Sequence, residues 1–495
     1  MLEDRLLPTP PVVIGFVAII TGAYIIYQCF FSPLAGIPGP FIAKLTGLYH
    51  AHLANQGTLH RDLIALHRKY GKVVRIGRNV LSVEEAAAFQ QIYKAGNRFY
   101  KAKSYGVIQG KRPFDLAGER NEKIHSEQRR LVARAYAMDS MVYLEPHVDA
   151  VIKELVDRLR GLKSQPIDLG SWMQLFAFDV VGAVSFSRPF GYIETGDDGG
   201  IFLKIQNAMK SIGWARHASF IFHAHQKLMP IIGNWLASND RNTYFFEFAR
   251  REIKARVERG GDYKDIASQL LSVQKVKPEL NDINISFMMT SNVFAGSDTT
   301  STSLRSIFYM LLKHPAAYKR LVDELDDMRR KGALSYPATF KEGESSPYLQ
   351  AVIHEAMRLY PSTGDILDRD VPEGGMTIDG HFVPAGTVVG SSPWVIHRSA
   401  DIWGPDVDEF RPERWLDKEN EGNLKRYFFV FGGGSRVCLG RNISMLEVNK
   451  LVPTLLMCFN MKLADDVTEL GENYGSIVFL TGLKVHIAPR ELQID

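Results

Sequence analysis

Cysteine is scarce in this chain: Cys29, Cys438 and Cys458 are the three in 495 residues. A sparse, odd set excludes a disulfide framework and fits a reducing compartment. There is no Cys-x-x-Cys pair and no His close to Cys438 in sequence. A structural zinc site needs about four such ligands, so that class is excluded too. Runs of Lys or Arg are also missing. The formal charge is +4, but its cations are scattered, which removes support for nucleic-acid binding. Internal repeats and low-complexity tracts are absent, and no linker-like break follows residue 45. Length alone suggests two or three domains; the missing break favours one large domain. With 45% hydrophobic and 23% charged residues, the chain has the balance of a folded globule.

Charge is absent altogether from Leu6 to Ala43. Within that span Pro11 to Phe31 is apolar for about the length a helix needs to cross a bilayer core. Tyr24, Tyr27, Phe30 and Phe31 gather at its C-terminal end, where aromatic side chains suit an interface. A cleaved signal peptide fits poorly: Glu3, Asp4 and Arg5 stand where a positive flank belongs, and the run is long for such a segment. The sequence therefore predicts a lumenal N-terminus over 1–10, a transmembrane anchor over 11–31 and a Pro/Gly-rich hinge over 32–45. The rest, 46–495, forms the globular domain. Lys44 and Arg61 lead the downstream side, and the positive-inside tendency puts that domain in the cytosol.

Residues 59–70 carry Leu59, Leu63 and Leu66 at helical spacing, with Gly71 as a stop. Val73-Val-Arg-Ile-Gly and Val80-Leu-Ser-Val read as a short hairpin. Helical periodicity dominates from about 120 to 330. Its longest member, 282–313, is apolar almost all round and is expected in the centre of a large core. Beyond 370, Gly, Pro and β-branched residues return, which predicts short strands and turns. The fold class is mainly α with a minor β portion.

The most informative segment is Phe431-Gly-Gly-Gly-Ser-Arg-Val-Cys-Leu-Gly440. Glycines let backbone come close to a sulfur, and N–H donors there moderate the charge of a metal-bound thiolate. The residues after Gly440 read as helical, so Cys438 lies near a helix N-terminus, which favours a thiolate. A P-loop is excluded by the missing Gly-Lys-Ser/Thr ending. The string resembles the haem-binding signature of the cytochrome P450 family, Phe-x-x-Gly-x-Arg-x-Cys-x-Gly. Phe431, Gly434, Arg436, Cys438 and Gly440 occupy its fixed positions. The resemblance extends over roughly residues 35–490, and the Pro-rich elbow and Asn97-Arg-Phe-Tyr-Lys-Ala-Lys-Ser104 look like membrane-bound filamentous-fungal members of secondary metabolism.

That resemblance implies the cytochrome P450 fold and haem b, with Cys438 as the axial iron ligand. It also implies that Glu355, Arg358 and Arg414 form a buried structural network. Ala295-Gly-Ser-Asp-Thr-Thr300 matches the oxygen-activation motif: Thr299 is expected to hold water or oxygen, Asp298 to help deliver protons, and Gly296 to let the helix open locally. The intrahelical alternative is hydroxyls bonding back to the preceding turn. Arg436, Arg129 and Arg369 are implied propionate contacts. His125 replaces the usual Trp four residues before Arg129 and leaves its charge state open. Asp368 stands where Pro is common. The implied reaction puts one atom of O2 into a small, largely apolar organic substrate, with electrons from NADPH through cytochrome P450 reductase and cytochrome b5 as an optional second source. Arg130, Lys425, Arg426 and Arg441 are the expected docking cations. The catalytic domain is expected at the endoplasmic reticulum membrane on a single-pass anchor. Substrate contacts are expected from about 100–120, 205–240, 290–300, 362–368 and 474–480, while Asp365, near that pocket, reads first as a solvated turn residue and second as a partner for a polar or cationic group. Two sequons, at Asn284 and Asn442, are not expected to carry sugar. A haem-thiolate isomerase and a non-catalytic haem carrier or sensor are the rivals; the Asp298–Thr299 pair speaks against both.

Overall fold

The computed structural model describes residues 10–162, 165–261 and 264–490. The lumenal segment expected at 1–10 therefore lies outside the described residues except for Pro10. The helices that position the site are α1 (Pro10–Ile26), α2 (Leu48–Gln56), α3 (Leu59–Tyr70), α4 (Tyr105–Gln109), α5 (Glu122–Val132), α6 (Leu169–Phe186), α7 (Asp282–Lys313), α8 (Pro347–Leu359) and α9 (Arg441–Cys458). One sheet contributes directly: β1 (Val73–Gly77), β2 (Val80–Val83), β3 (Tyr100–Lys101), β4 (Arg369–Asp370) and β5 (Val388–Gly390), in the order β1-β2-β5-β4-β3. Its pairs are antiparallel except β2 with β5. The mainly helical body with short strands matches the sequence expectation, down to the ends of α3, the hairpin and α7.

Helix α7 is the axis of the core. Asn281 caps it by accepting from Asn284 N at 2.9 Å. Its 32 residues span about 48 Å at the usual rise. The hydroxyls of Ser286, Thr290, Ser291, Thr299 and Ser303 bond back to carbonyls four residues earlier, so polar residues survive inside an otherwise buried helix. The local opening expected at Gly296 is not seen, because α7 is α-helical throughout. A Cβ at Gly296 would lie 2.6 Å from Val181 Cγ2, so this glycine serves the close approach of α6.

Among the described residues two helices are apolar enough to cross a bilayer, and their surroundings separate them. The Leu169–Phe186 window is 89% buried and is a core helix, whereas Val13–Phe31 is 6% buried. The second leaves Ile14, Phe16, Ile19 and Ile20 exposed, as a lipid-facing segment does. The Pro/Gly-rich segment after it is not a free spacer. Leu34, Ile37 and Ala43 are buried, and Arg75 N on β1 donates to Pro38 O at 2.7 Å. The Arg75 guanidinium donates to Gln28 Oε1, Leu34 O and Arg78 O, binding the elbow to the sheet.

Asp365 departs from its expected role as a solvated turn residue. It is 1% exposed, and its carboxylate meets His50 Nε2 at 3.1 Å, His217 Nε2 at 2.7 Å and Tyr474 Oη at 3.2 Å. Desolvation raises its proton affinity, but the neighbouring His217, His50 and Arg216 hold it well below the usual carboxylate range. The same loop explains Asp368 in place of Pro: it accepts from Arg216 Nη2 and from Ser104 Oγ.

Glu447 on α9 is the opposite case, fully buried with neither carboxyl oxygen hydrogen-bonded among the described residues. Burial pushes its carboxyl well above the usual range, so the folded chain keeps a proton that the unfolded chain releases above about pH 4.3. Wild-type stability therefore falls as pH rises through that region, by about 1.4 kcal/mol per unit until the folded carboxyl ionises. Glu447→Gln removes this dependence. The unfolding free energy of the variant relative to wild type, from denaturant melts, is expected to rise between pH 5 and pH 7; an unchanged difference contradicts the burial account.

Candidate haem-thiolate site

Glycine builds the loop that presents Cys438. Gly432 and Gly434 have φ of +70° and +60°, and a Cβ at Gly434 would sit 2.6 Å from Tyr93 O. Cys438 N donates to Phe431 O at 2.8 Å, closing the loop. Cys438 has accessible surface, and that surface opens onto an internal cavity of about 400 Å³. Burial pushes its thiol up, while the N–H groups of Gly440 and Arg441 and the charge of Arg129 pull the other way. A metal bound at the sulfur would complete the deprotonation.

The loop is held from behind. Glu355 accepts from Arg358 at 2.9 Å on both oxygens, from Arg414 Nε at 2.9 Å, from Trp415 Nε1 at 2.8 Å and from Arg411 N at 3.0 Å. Burial raises the Glu355 carboxyl, but the Arg358 contact and the two Arg charges outweigh it and leave the group below its ordinary value. Arg358 passes the constraint on. Its own carbonyl accepts from His397 Nδ1 at 3.0 Å, and His397 Nε2 accepts from Phe429 N at 2.8 Å, two residues before Phe431. Burial and the Arg358 charge push His397 down to about 3, so it is neutral and its tautomer is fixed.

Cations gather at one edge of the cavity. Arg129, Arg369, Arg436 and His125 all line it. Arg129 Nη1 donates to Val437 O at 2.8 Å, Arg369 Nη1 to Asp368 O at 2.9 Å, and Arg436 to Glu122 and Glu119 O. His125 is buried and pushed down to about 3 by desolvation and then by Arg436, Lys101 and Arg129. The residue that sequence reasoning missed is Lys101. It is 7% exposed, lines the cavity and stands cross-strand from Arg369 in the β3–β4 register. Its Nζ donates to Ala117 O at 2.7 Å, and burial followed by the Arg436 and Arg369 charges lowers its pKa well below the ordinary Lys value. A cluster with so much positive character suits a ligand that carries two carboxylates at one edge.

Helix α7 contributes Ala295, Gly296, Thr299, Thr300 and Ser303 to the cavity wall. Thr299 Oγ1 donates to Ala295 O at 3.0 Å. Asp298 is not part of that wall. It turns toward α6, where Gln174 Nε2 donates to Oδ1 at 2.5 Å, and Gln174 Oε1 accepts from Arg305 at 2.8 Å. Its Oδ2 has no partner among the described residues, and burial pushes the carboxyl up to about 7 against the Arg305 charge and the Gln174 bond. The predicted acid–alcohol pair is thus split across two faces of one helix. A separate surface depression of about 250 Å³ beside His67 and Arg398 holds none of the predicted site residues.

A mostly apolar cavity lined by one cysteine thiol, by Arg129, Arg369 and Arg436 and by the α7 hydroxyls has the residues a haem-thiolate enzyme needs. The family model "Cytochrome P450" matches residues 37–486, and the chain belongs to the cytochrome P450 family, whose members carry haem iron. Similar proteins are named as monooxygenases. "Cytochrome P450 monooxygenase hepC" of Aspergillus oryzae is 53% identical over 486 residues, 94% of each chain. "Cytochrome P450 monooxygenase cicH" of Emericella nidulans is 35% identical, covering 88% of this chain and 90% of its own. Pisatin demethylase of Fusarium vanettenii is 34% identical, covering 89% and 87%. The chain is an enzyme of the monooxygenase class that takes a small-molecule substrate, O2 and a redox partner.

Glu355→Gln leaves Arg358 and Arg414 buried with less than their full counter-charge. The expected loss is about 3–5 kcal/mol in the denaturant unfolding of the full chain. A loss under about 1 kcal/mol contradicts the network's structural role.

Proposed function

We propose that the protein is a membrane-anchored monooxygenase acting on a small, largely apolar organic molecule in a tailoring step of fungal secondary metabolism. The observation that carries this reading is the exposed Cys438 thiol, which lines the same mostly apolar cavity as the Thr299 hydroxyl. Cys438 holds the iron of haem b, with Arg129, Arg369, Arg436 and His125 as the propionate contacts. The bound haem supplies the activation of O2 and the transfer of one oxygen atom to the substrate.

The chain's own residues handle water and protons. Thr299 is the only side chain of the predicted pair on the cavity wall, and it exchanges its Ala295 bond for one to a molecule in the slot. Asp298, near neutrality in proton affinity, holds the proton that is passed on, released when its carboxyl swings from Gln174. Apolar lining residues such as Ile108, Leu116, Met288 and Leu367 exclude bulk water and shape the substrate site.

Val13–Phe31 is the anchor, set in the endoplasmic reticulum membrane, with 32–45 as the elbow and 46–495 as a cytosolic domain. Electrons arrive from NADPH through cytochrome P450 reductase, with cytochrome b5 as an optional donor. Arg130, Lys425, Arg426 and Arg441 are exposed around the cysteine loop and suit an acidic partner.

Thr299→Ala is expected to lower product formed per NADPH consumed several-fold while NADPH is still oxidised. Asp298→Asn is expected to slow turnover by about 10²-fold. Wild-type turnover falls as pH rises through about 7, where Asp298 loses its proton, and the Asn variant lacks that limb. Unchanged coupling in Thr299→Ala contradicts the role given to the hydroxyl.

A further inference from the structure

A second group of cations stands behind the cavity wall. Arg112 follows α4 and is 2% exposed; Arg241, in the turn Ala237–Asn242, is 5% exposed. Both guanidinium groups converge on one carbonyl, Ile108 O, through Arg112 Nη2 and Arg241 Nη1, the latter at 3.2 Å. Arg112 Nε also donates to Gln109 O at 3.2 Å. Arg241 Nη2 reaches Ser291 Oγ at 3.1 Å, and its guanidinium lies 5.3 Å from the Phe294 ring centre.

The charge here does not balance. The acid paired with these cations is Asp115, fully buried, bound closely to Arg112 and 3.6 Å from Arg241. Its other oxygen is taken by Ala117 N and Gly118 N. Two guanidinium groups against one carboxylate leave a buried net charge of one. Arg112 Nη1 and Arg241 Nε have no hydrogen-bond partner among the described residues. A buried, uncompensated cation with idle donors is costly unless a counter-charge arrives. The mutual repulsion of the pair shows in Arg112, lowered to about 9 by burial and then by Arg241.

Ile108 and Ser291, the groups that Arg241 already bonds, both line the cavity, so the cations stand one layer behind its wall. Resting on the monooxygenase reading of that cavity, we propose that the substrate carries a carboxylate, which docks at the Ser291–Arg241 end and supplies the missing negative charge. A guanidinium fork matches a carboxylate in shape and charge. Ser291 and Thr299 are eight residues apart on α7, about 12 Å along the axis, so the carbon oxidised lies at the far end of the molecule from the acid. Acid and apolar body are read by opposite ends of one slot.

The test uses matched acid–ester pairs on the full-length haem-loaded protein, followed by the spin-state absorption change on binding. The pairs are decanoate with methyl decanoate and 4-phenylbenzoate with its methyl ester. In at least one pair the acid is expected to bind about tenfold or more tightly than its ester. That ratio is expected to fall toward one in Arg241→Gln and to persist in Arg241→Lys. Sulfate is expected not to displace the acid. Equal affinities in both pairs, binding by neither acid, a preference that survives Arg241→Gln, or equal competition by sulfate each overturns the proposal. The carbon monoxide spectrum of every variant reports haem-thiolate integrity separately, so failure of the carboxylate site is distinguished from failure of the enzyme reading.

Discussion

The buried Glu355 carboxylate, shared between Arg358 and Arg414, is the contact on which the site depends. Neither the ion trio nor the cysteine loop is near the other in sequence. They are joined through His397, which donates to the Arg358 carbonyl with one ring nitrogen and accepts from Phe429 N with the other. That relay fixes the start of the glycine loop, and the glycines then deliver the Cys438 sulfur to the cavity. Trp415 and the Arg411 backbone fill the remaining acceptor sites of Glu355, so the buried charge is fully satisfied. A network of this kind contributes geometry more than net stability.

Much of this was legible in the sequence where the signal is local. The cysteine loop is a contiguous string whose glycines have a backbone reason to be there. The ends of α3 and α7 follow from spacing, caps and stops. The apolar N-terminal run announces itself by length and missing charge. The network of Glu355, Arg358 and Arg414 was legible only through family resemblance, because a Glu-x-x-Arg pair by itself is usually a surface feature.

What stayed hidden depends on partners far along the chain. Asp365 looked like a solvated turn residue, since nothing near it signals His50, 315 positions away. Lys101 was not singled out; pairing of β3 with β4 turns it into the cavity. Asp298 was read correctly as an unusual residue in an apolar helix, but its direction is set by Gln174 on α6, which periodicity does not reveal. Gly296 was assigned to a helix opening, whereas the close packing of Val181 explains it. In each case the residue type was visible and its orientation was a tertiary fact.

Two cation clusters serve the cavity, one in its wall suited to the cofactor's carboxylates and one behind the α4 wall. The rest of the lining is mostly apolar, with α7 hydroxyls among it. All of that matters only if the Cys438 sulfur is bonded as an anion to iron. The most direct measurement is the absorption spectrum of the reduced protein with carbon monoxide. The account predicts the red-shifted band characteristic of thiolate ligation in the wild type and its loss in Cys438→Ala. A wild-type spectrum without that band, or the same band in the Ala variant, would contradict it.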